Sequence, residues 1–119
     1  MNVDEYRARL SAQEELLDKN KELMRHLEEL QDEMMLDDRD SIAWIEAYER
    51  LTQGVPGARR EASNLWDDHY TAVRDMDATL EEGFERAAAQ RRSIEDEIAA
   101  VEQAWRRSNA EKQEGQLWV

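Results

Sequence analysis

Gly54-Val55-Pro56-Gly57 contains the only proline and two of the four glycines of a chain of 119 residues, and it lies near the midpoint. Proline presets φ and glycine accepts positive φ, so this stretch can reverse the chain at little cost. Both flanks are rich in Glu, Arg, Leu, Ala and Gln, which favour helix. The sequence therefore predicts an all-α fold, a long antiparallel helical hairpin of coiled-coil type.

We expect a single domain, because a chain of this length seldom forms more than one. Gly115 is expected to end the second helix and to leave a short apolar tail. Within the single domain 1–119, the predicted divisions are a first arm at 3–53, a turn at 54–57, a second arm at 58–114 and a tail at 115–119.

The first arm has an apolar seam whose members alternate in steps of three and four residues, a heptad pattern that predicts left-handed supercoiling. The seam consists of Val3, Tyr6, Leu10, Gln13, Leu17, Asn20, Met24, Leu27, Gln31 and Met34. Beside it, Leu16, Leu23 and Leu30 form a leucine column at intervals of seven residues. One partner helix covers only a seam two positions wide, so the column predicts a further helix and a three- or four-helix bundle.

The run from Asp37 to Ser41 leaves two alternatives open for the first arm. Asp40 or Ser41 could cap a separate short helix with an apolar face of its own. No glycine or proline enforces that break, so the other alternative is a continuous or gently kinked helix.

The second arm repeats the alternation from Trp66 to Ala87 and again from Arg91 to Trp105, with a stutter where the two parts join. A turn centred near Val55-Pro56 brings apolar residues of the two arms to the same levels. The expected pairs are Leu27 with Phe84, Leu17 with Ile94, Leu10 with Val101, Tyr6 with Trp105, and Asn20 with Arg91. Trp66 is expected near Trp44 and Ile45.

The charge of the chain excludes some partners. It carries 29 acidic and 16 basic side chains, a formal net charge of −13, and no cysteine. A polyanion has no electrostatic attraction to nucleic acid or to an anionic membrane surface, and we expect neither partner. No apolar run is long enough for membrane insertion, and no signal peptide is visible. We therefore expect a cytoplasmic protein, exported, if at all, without a leader and in complex with a partner.

Candidate catalytic and metal-binding groups are sparse. The two histidines lack the Glu-x-x-His spacing of carboxylate-bridged metal bundles, so His26 is expected to be exposed and His69 to pack in the seam. Paired carboxylates act as acid and base only where a cavity separates their pKa values, and we expect no such cavity in a two-helix hairpin. We expect neither an enzyme nor a bound cofactor or metal.

Four tryptophans are many for a chain in which 38% of the residues are charged. Tryptophan is frequent at interface hot spots, so part of this surface could contact a partner. The alternative is that Trp44, Trp66 and Trp105 only fill the seam. The predicted partner-binding residues are Leu16, Leu23, Leu30, Trp44, Trp66, Phe84, Trp105 and Trp118.

In length, acidity and hairpin architecture, including the closing run from Glu95-Asp96-Glu97-Ile98 to Trp105-Arg106-Arg107, the chain resembles the helical accessory proteins of LXG toxins in type VII secretion. Gly54-Val55-Pro56-Gly57 replaces the Trp-x-Gly turn of the related WXG hairpins. Their Tyr-x-x-x-Asp/Glu export signal is also absent, since Arg74 follows Tyr70 at that interval. The resemblance implies a chaperone or targeting factor that binds a helical region of a toxin.

The function expected from the sequence is that of a non-enzymatic adaptor or chaperone for a partner protein with a helical segment, such as a secreted toxin. Apolar side chains would supply the affinity, and the pattern of charges would determine the choice of partner. The alternative is a structural coiled-coil component, a secretion-apparatus stalk or phage protein, that acts by self-association as a homodimer.

Overall fold

The computed structural model describes residues 1–117 of the chain. These residues form two α-helices, α1 (Val3–Leu51) and α2 (Ala58–Leu117), joined by a short turn. The predicted all-α class and the antiparallel helical hairpin are confirmed. Side chains are described as far as Gly115. The predicted partner-binding residue Trp118 lies outside the described residues.

Helix α1 begins with a capped first turn and continues without interruption. The Asn2 side-chain carbonyl accepts a hydrogen bond from the Glu5 N–H at 2.8 Å, which satisfies one of the unpaired donors of the first turn. The helix passes through Asp37 and Ser41 without a break. Of the two alternatives for this arm, the structure therefore has the continuous helix, as expected where no residue interrupts the hydrogen-bond ladder.

The turn owes its geometry to two glycines. Gly54 and Gly57 have φ values of 80° and 81°, in the left-handed region that favours glycine. The Val55 N–H donates to the Thr52 carbonyl at 3.0 Å, and the Gly57 carbonyl accepts the Glu61 N–H at 3.2 Å as α2 begins. The glycines thus supply the two positive φ values that the reversal requires.

Helix α2 extends further than its predicted end at residue 114. It passes through Gly115 and ends at Leu117, so the prediction that Gly115 stops the helix is wrong at this point. A single glycine costs a helix only about 1 kcal/mol relative to alanine. Its neighbours Glu114 and Gln116 favour helix, which makes that cost tolerable.

The hairpin divides into two compact units. The first unit pairs residues 1–24 with residues from 85 onward, and the second contains residues 25–84 with the turn. In the first unit, Ala87, Ile94 and Val101 are buried, and the rings of Tyr6 and Trp105 stack with centroids 4.8 Å apart. The predicted pairing of Tyr6 with Trp105 is confirmed.

The first unit also contains a buried polar residue, Asn20. Its Nδ2 donates to the Ala87 carbonyl and to Gln90 Oε1, each at 2.9 Å. These partners lie within one turn of Arg91, the residue expected opposite Asn20. The side-chain oxygen of Asn20 is buried and has no hydrogen-bond partner.

In the second unit, the core is formed by Ile45, Ala58, Ala62 and Leu80. Gly83 faces Leu27 so closely that a β-carbon added at Gly83 would lie 3.3 Å from Leu27 Cδ2. Leu27 was expected opposite Phe84, and its contact with the neighbouring residue places the register within one position of the prediction.

Candidate partner-binding surfaces

The leucine column of α1 is exposed, as its position beside the seam predicts. Leu16 and Leu23, in the first unit, have exposed fractions of 43% and 44%, and Leu30, in the second unit, is 45% exposed. Each leucine thus keeps more than two fifths of its surface open to water although α2 covers the adjacent seam. In each unit taken by itself, the column leaves apolar surface that a further helix could cover.

Within the second unit, the column continues beyond Leu30 at the same interval of seven residues. It passes through Asp37 to Trp44 and Leu51, whose exposed fractions are 60% and 81%. The Trp44 ring stacks on Tyr48 with centroids 6.0 Å apart, so one of its faces is covered by its own helix. Leu51 was not among the predicted partner-binding residues, and extending the interval from Leu30 would have found it.

Three other predicted aromatic residues, all within the described part of the chain, are half-buried: Trp66, Phe84 and Trp105. Trp105 stacks on Tyr6, and Phe84 is half-buried near the end of the second unit. Trp66 donates its indole N–H to Glu49 and stacks on Tyr70, with ring centroids 5.7 Å apart. Among the tryptophans that the structure describes, Trp44 therefore presents the largest exposed fraction.

Two methionine-containing segments of the second unit line a cleft between α1 and α2 of about 390 Å³. Met34 and Met35 line it on α1, and Met76 lines it on α2 together with Val73 and Leu80. Met35 is 67% exposed and Met76 is 46% exposed. We call this the methionine cleft. Sequence reasoning missed it because Met34 and Met76 occupy seam positions, which predict burial against the opposite helix.

His69 and Asp38 form a polar pair at the methionine cleft. His69 Nε2 lies 2.7 Å from Asp38 Oδ1, and the imidazole, only 9% exposed, also meets the Trp66 ring edge-on at 6.1 Å. The prediction that His69 packs in the seam agrees with this burial. Over residues 1–117, no group of three His, Asp, Glu or Cys side chains is arranged to hold a metal ion.

A second cleft, of about 650 Å³, lies beside the turn. Its lining includes Glu49, Arg59 and Asp67, charges of both signs, together with Trp66. Nearby, the Tyr48 phenol donates a hydrogen bond to Glu61, which raises the pKa of Tyr48 above its ordinary value, with smaller contributions from desolvation and from the Glu61 charge. These polar contacts join α1 to α2 next to the reversal.

Comparisons of the chain with protein-family models, with curated proteins and with solved structures found no match. Neither helix, over the described residues, includes an apolar segment that could span a lipid bilayer. The function is therefore inferred from the side chains and their surroundings.

Proposed function

We propose that this chain is a non-enzymatic helical adaptor or chaperone that binds a helical segment of a partner protein. The observation that carries the proposal is the exposed leucine column of α1, in which Leu16, Leu23 and Leu30 are each 43–45% exposed. Large apolar side chains left open at a constant interval on one helix favour packing against another helix. The partner's helix would complete a three- or four-helix bundle.

The column leucines supply part of the free energy of such an interface. Burial of a whole leucine side chain contributes roughly 1.5–3 kcal/mol, so covering the exposed part of each column leucine contributes about 1 kcal/mol. Three leucines then supply about 3 kcal/mol, too little for a stable complex once the entropy of association is lost. Trp44 and Leu51, both more exposed than the leucines, extend the apolar area that a partner could cover in the second unit.

The partner class that fits best is a secreted toxin with a helical N-terminal region, as the resemblance to LXG accessory proteins implies. The adaptor would act in the cytoplasm, shielding the toxin's helices before export and leaving the cell only as part of the complex. The net charge of −13 would contribute to the selection of partner.

The test is co-expression with the helical N-terminal region of a toxin encoded beside this chain's gene, followed by measurement of mass by light scattering. We expect a complex of fixed ratio. The triple variant L16Q/L23Q/L30Q should weaken it roughly 100-fold, since 1.4 kcal/mol corresponds to a factor of ten. The matched control A8Q/S11Q/A43Q introduces the same residue at three exposed positions of α1 outside the column and should leave the complex intact.

The second candidate function is a structural coiled-coil component that self-associates, and the heptad spacing of the column favours it, since two copies could align their leucines. Light scattering of the purified chain separates the two. A stable oligomer at micromolar concentration without any partner supports the structural role. A purified chain that stays monomeric and binds none of the tested toxin regions would contradict both functions.

A further inference from the structure

We propose that the methionine cleft binds a basic amphipathic helix, with the partner's apolar side chains in the cleft and its lysines or arginines against the acidic flanks. The inference deepens the proposed function and rests on it, because it specifies the chemistry of the partner's helix. It is carried by three features of the second unit: the cleft, its methionines, and the charge of the two segments that contain them.

The cleft has the character of an adaptable apolar site. Met34, Met35 and Met76 are three of the five methionines of the chain, and all three line a volume of about 390 Å³. Methionine is unbranched and polarisable, so it conforms to bulky side chains of different shapes. Val73 and Leu80 give the lining further apolar surface. Surfaces of this kind accept the apolar face of a helix.

The charge around the cleft is strongly one-sided. Residues 28–38 of α1 contain six carboxylates and no lysine or arginine, and residues 67–82 of α2 contain six carboxylates and Arg74 alone. These two segments therefore carry a net charge of −11, most of the −13 of the whole chain. Three of these carboxylates have interactions within the chain: Glu29 with Arg25, Asp38 with His69, and also Glu82.

This charge decides between the possible occupants. A second copy of the chain would bring another net −13 towards two segments that already carry −11 between them, and like charges at an interface oppose association. A helix with apolar residues on one face and lysine or arginine on its flanks can pack against the methionines and form ion pairs with the carboxylates at the same time. We therefore assign the cleft to a basic amphipathic helix rather than to self-association.

The test uses the five methionines as internal reporters. The full chain is labelled with ¹³C at the methionine methyl groups and titrated with a helical peptide of leucine and lysine whose leucines share one face. The signals of Met34, Met35 and Met76 should shift, whereas those of Met1 and Met24, in the first unit, should not. A peptide of the same composition, scrambled so that it has no apolar face, should bind at least about tenfold more weakly.

Two charge variants distinguish attraction of the peptide to the carboxylates of the cleft from its attraction to the net charge of the whole chain. D37K/D77K reverses the charge at two carboxylates that line the cleft and should weaken binding of the leucine–lysine peptide at least about tenfold. D18K/D96K makes the same chemical change at two exposed positions of the first unit and should change affinity less than about twofold.

Equal losses in the two variants, equal binding of the scrambled peptide, or uniform shifts of all five methionines would overturn the inference. So would shifts of the three cleft methionines with protein concentration in the absence of peptide, which would assign the cleft to a second copy. Failure of the adaptor proposal is distinguishable. If the adaptor proposal fails, the toxin region itself does not bind. If only the inference fails, that complex stays sensitive to L16Q/L23Q/L30Q and is insensitive to D77K, which changes the cleft outside the leucine column.

Discussion

The two helices use their apolar residues in opposite ways. Among the residues whose burial the structure describes, six of the seven buried apolar side chains belong to α2, and Ile45 alone belongs to α1. Conversely, eight of the eleven large apolar residues that are exposed belong to α1, namely Val3, Leu16, Leu23, Leu30, Met35, Leu36, Trp44 and Leu51. Helix α2 thus contributes the buried side of the seam, and α1 presents the apolar surface that remains.

This difference indicates a division of roles. The buried residues of α2 include four alanines or small aliphatic side chains, such as Ala87 and Val101, which allow close contact with α1. Helix α1 has the same seam and an additional column beside it, so one neighbour cannot cover all of its apolar positions. In the proposed adaptor, α2 would mainly maintain the hairpin and α1 would mainly contact the partner.

The largest expected effect comes from removing buried volume on α2. I94A should lower the free energy of unfolding by about 2–4 kcal/mol, because it leaves a cavity where Ile94 is only 6% exposed. L23A, on the exposed column of α1, should cost less than about 1 kcal/mol. Urea unfolding followed by circular dichroism measures both. Equal losses in the two variants would remove the distinction between the helices.

A smaller effect is expected at Asn20, the buried polar residue of α1. N20A removes two hydrogen bonds of 2.9 Å and should cost about 1–2 kcal/mol. N20L fills the buried space that N20A leaves empty, so it should be more stable than N20A. The same urea experiment compares the pair. An N20L protein less stable than N20A would show that Asn20 contributes more than hydrogen bonds and volume.

The smallest effect concerns the polar contact beside the turn. The Tyr48 phenol donates to the Glu61 carboxylate, which raises the pKa of Tyr48 above the ordinary value of about 10. Because the pKa of Tyr48 is higher in the folded state than in the unfolded state, the contact stabilises the fold fully at pH values below about 10. This stabilisation is lost as the pH rises through the pKa of Tyr48 in the folded state. E61Q should lower the pKa of Tyr48 in a phenolate absorbance titration at alkaline pH, with Y48F identifying its signal. An unchanged titration in E61Q would exclude the contact in solution.

The sequence predicted the hairpin and its register because both depend on local chemistry. The two glycines with positive φ fix the position of the reversal, and the heptad seam then fixes which residues face each other. The stacking of Tyr6 on Trp105 follows from those two facts. The predicted end of α2 failed because Gly115 was weighed alone, without the helix-favouring residues on both sides of it.

The candidate surfaces were predicted less completely. The leucine column was visible because its interval is constant, and its exposure follows from its place beside the seam. The methionine cleft was not visible, since a seam position predicts contact with the opposite helix but not how much space the contact leaves. That space depends on the sizes of residues from both helices, such as Ser41 and Ala72, which meet only after the register is set.

Asp37 occupies the one position between Leu30 and Leu51 where the column of α1 is not apolar. A partner that lies along the roughly six turns from Leu30 to Leu51 must offer this carboxylate a cation or a hydrogen-bond donor, or leave a charge without a partner in the contact. A charged residue that interrupts an exposed apolar surface in this way is expected to reduce unspecific association. Replacing Asp37 with leucine would make the column apolar without interruption from Leu30 to Leu51. The variant would then have more apolar surface for association and less selectivity between partners.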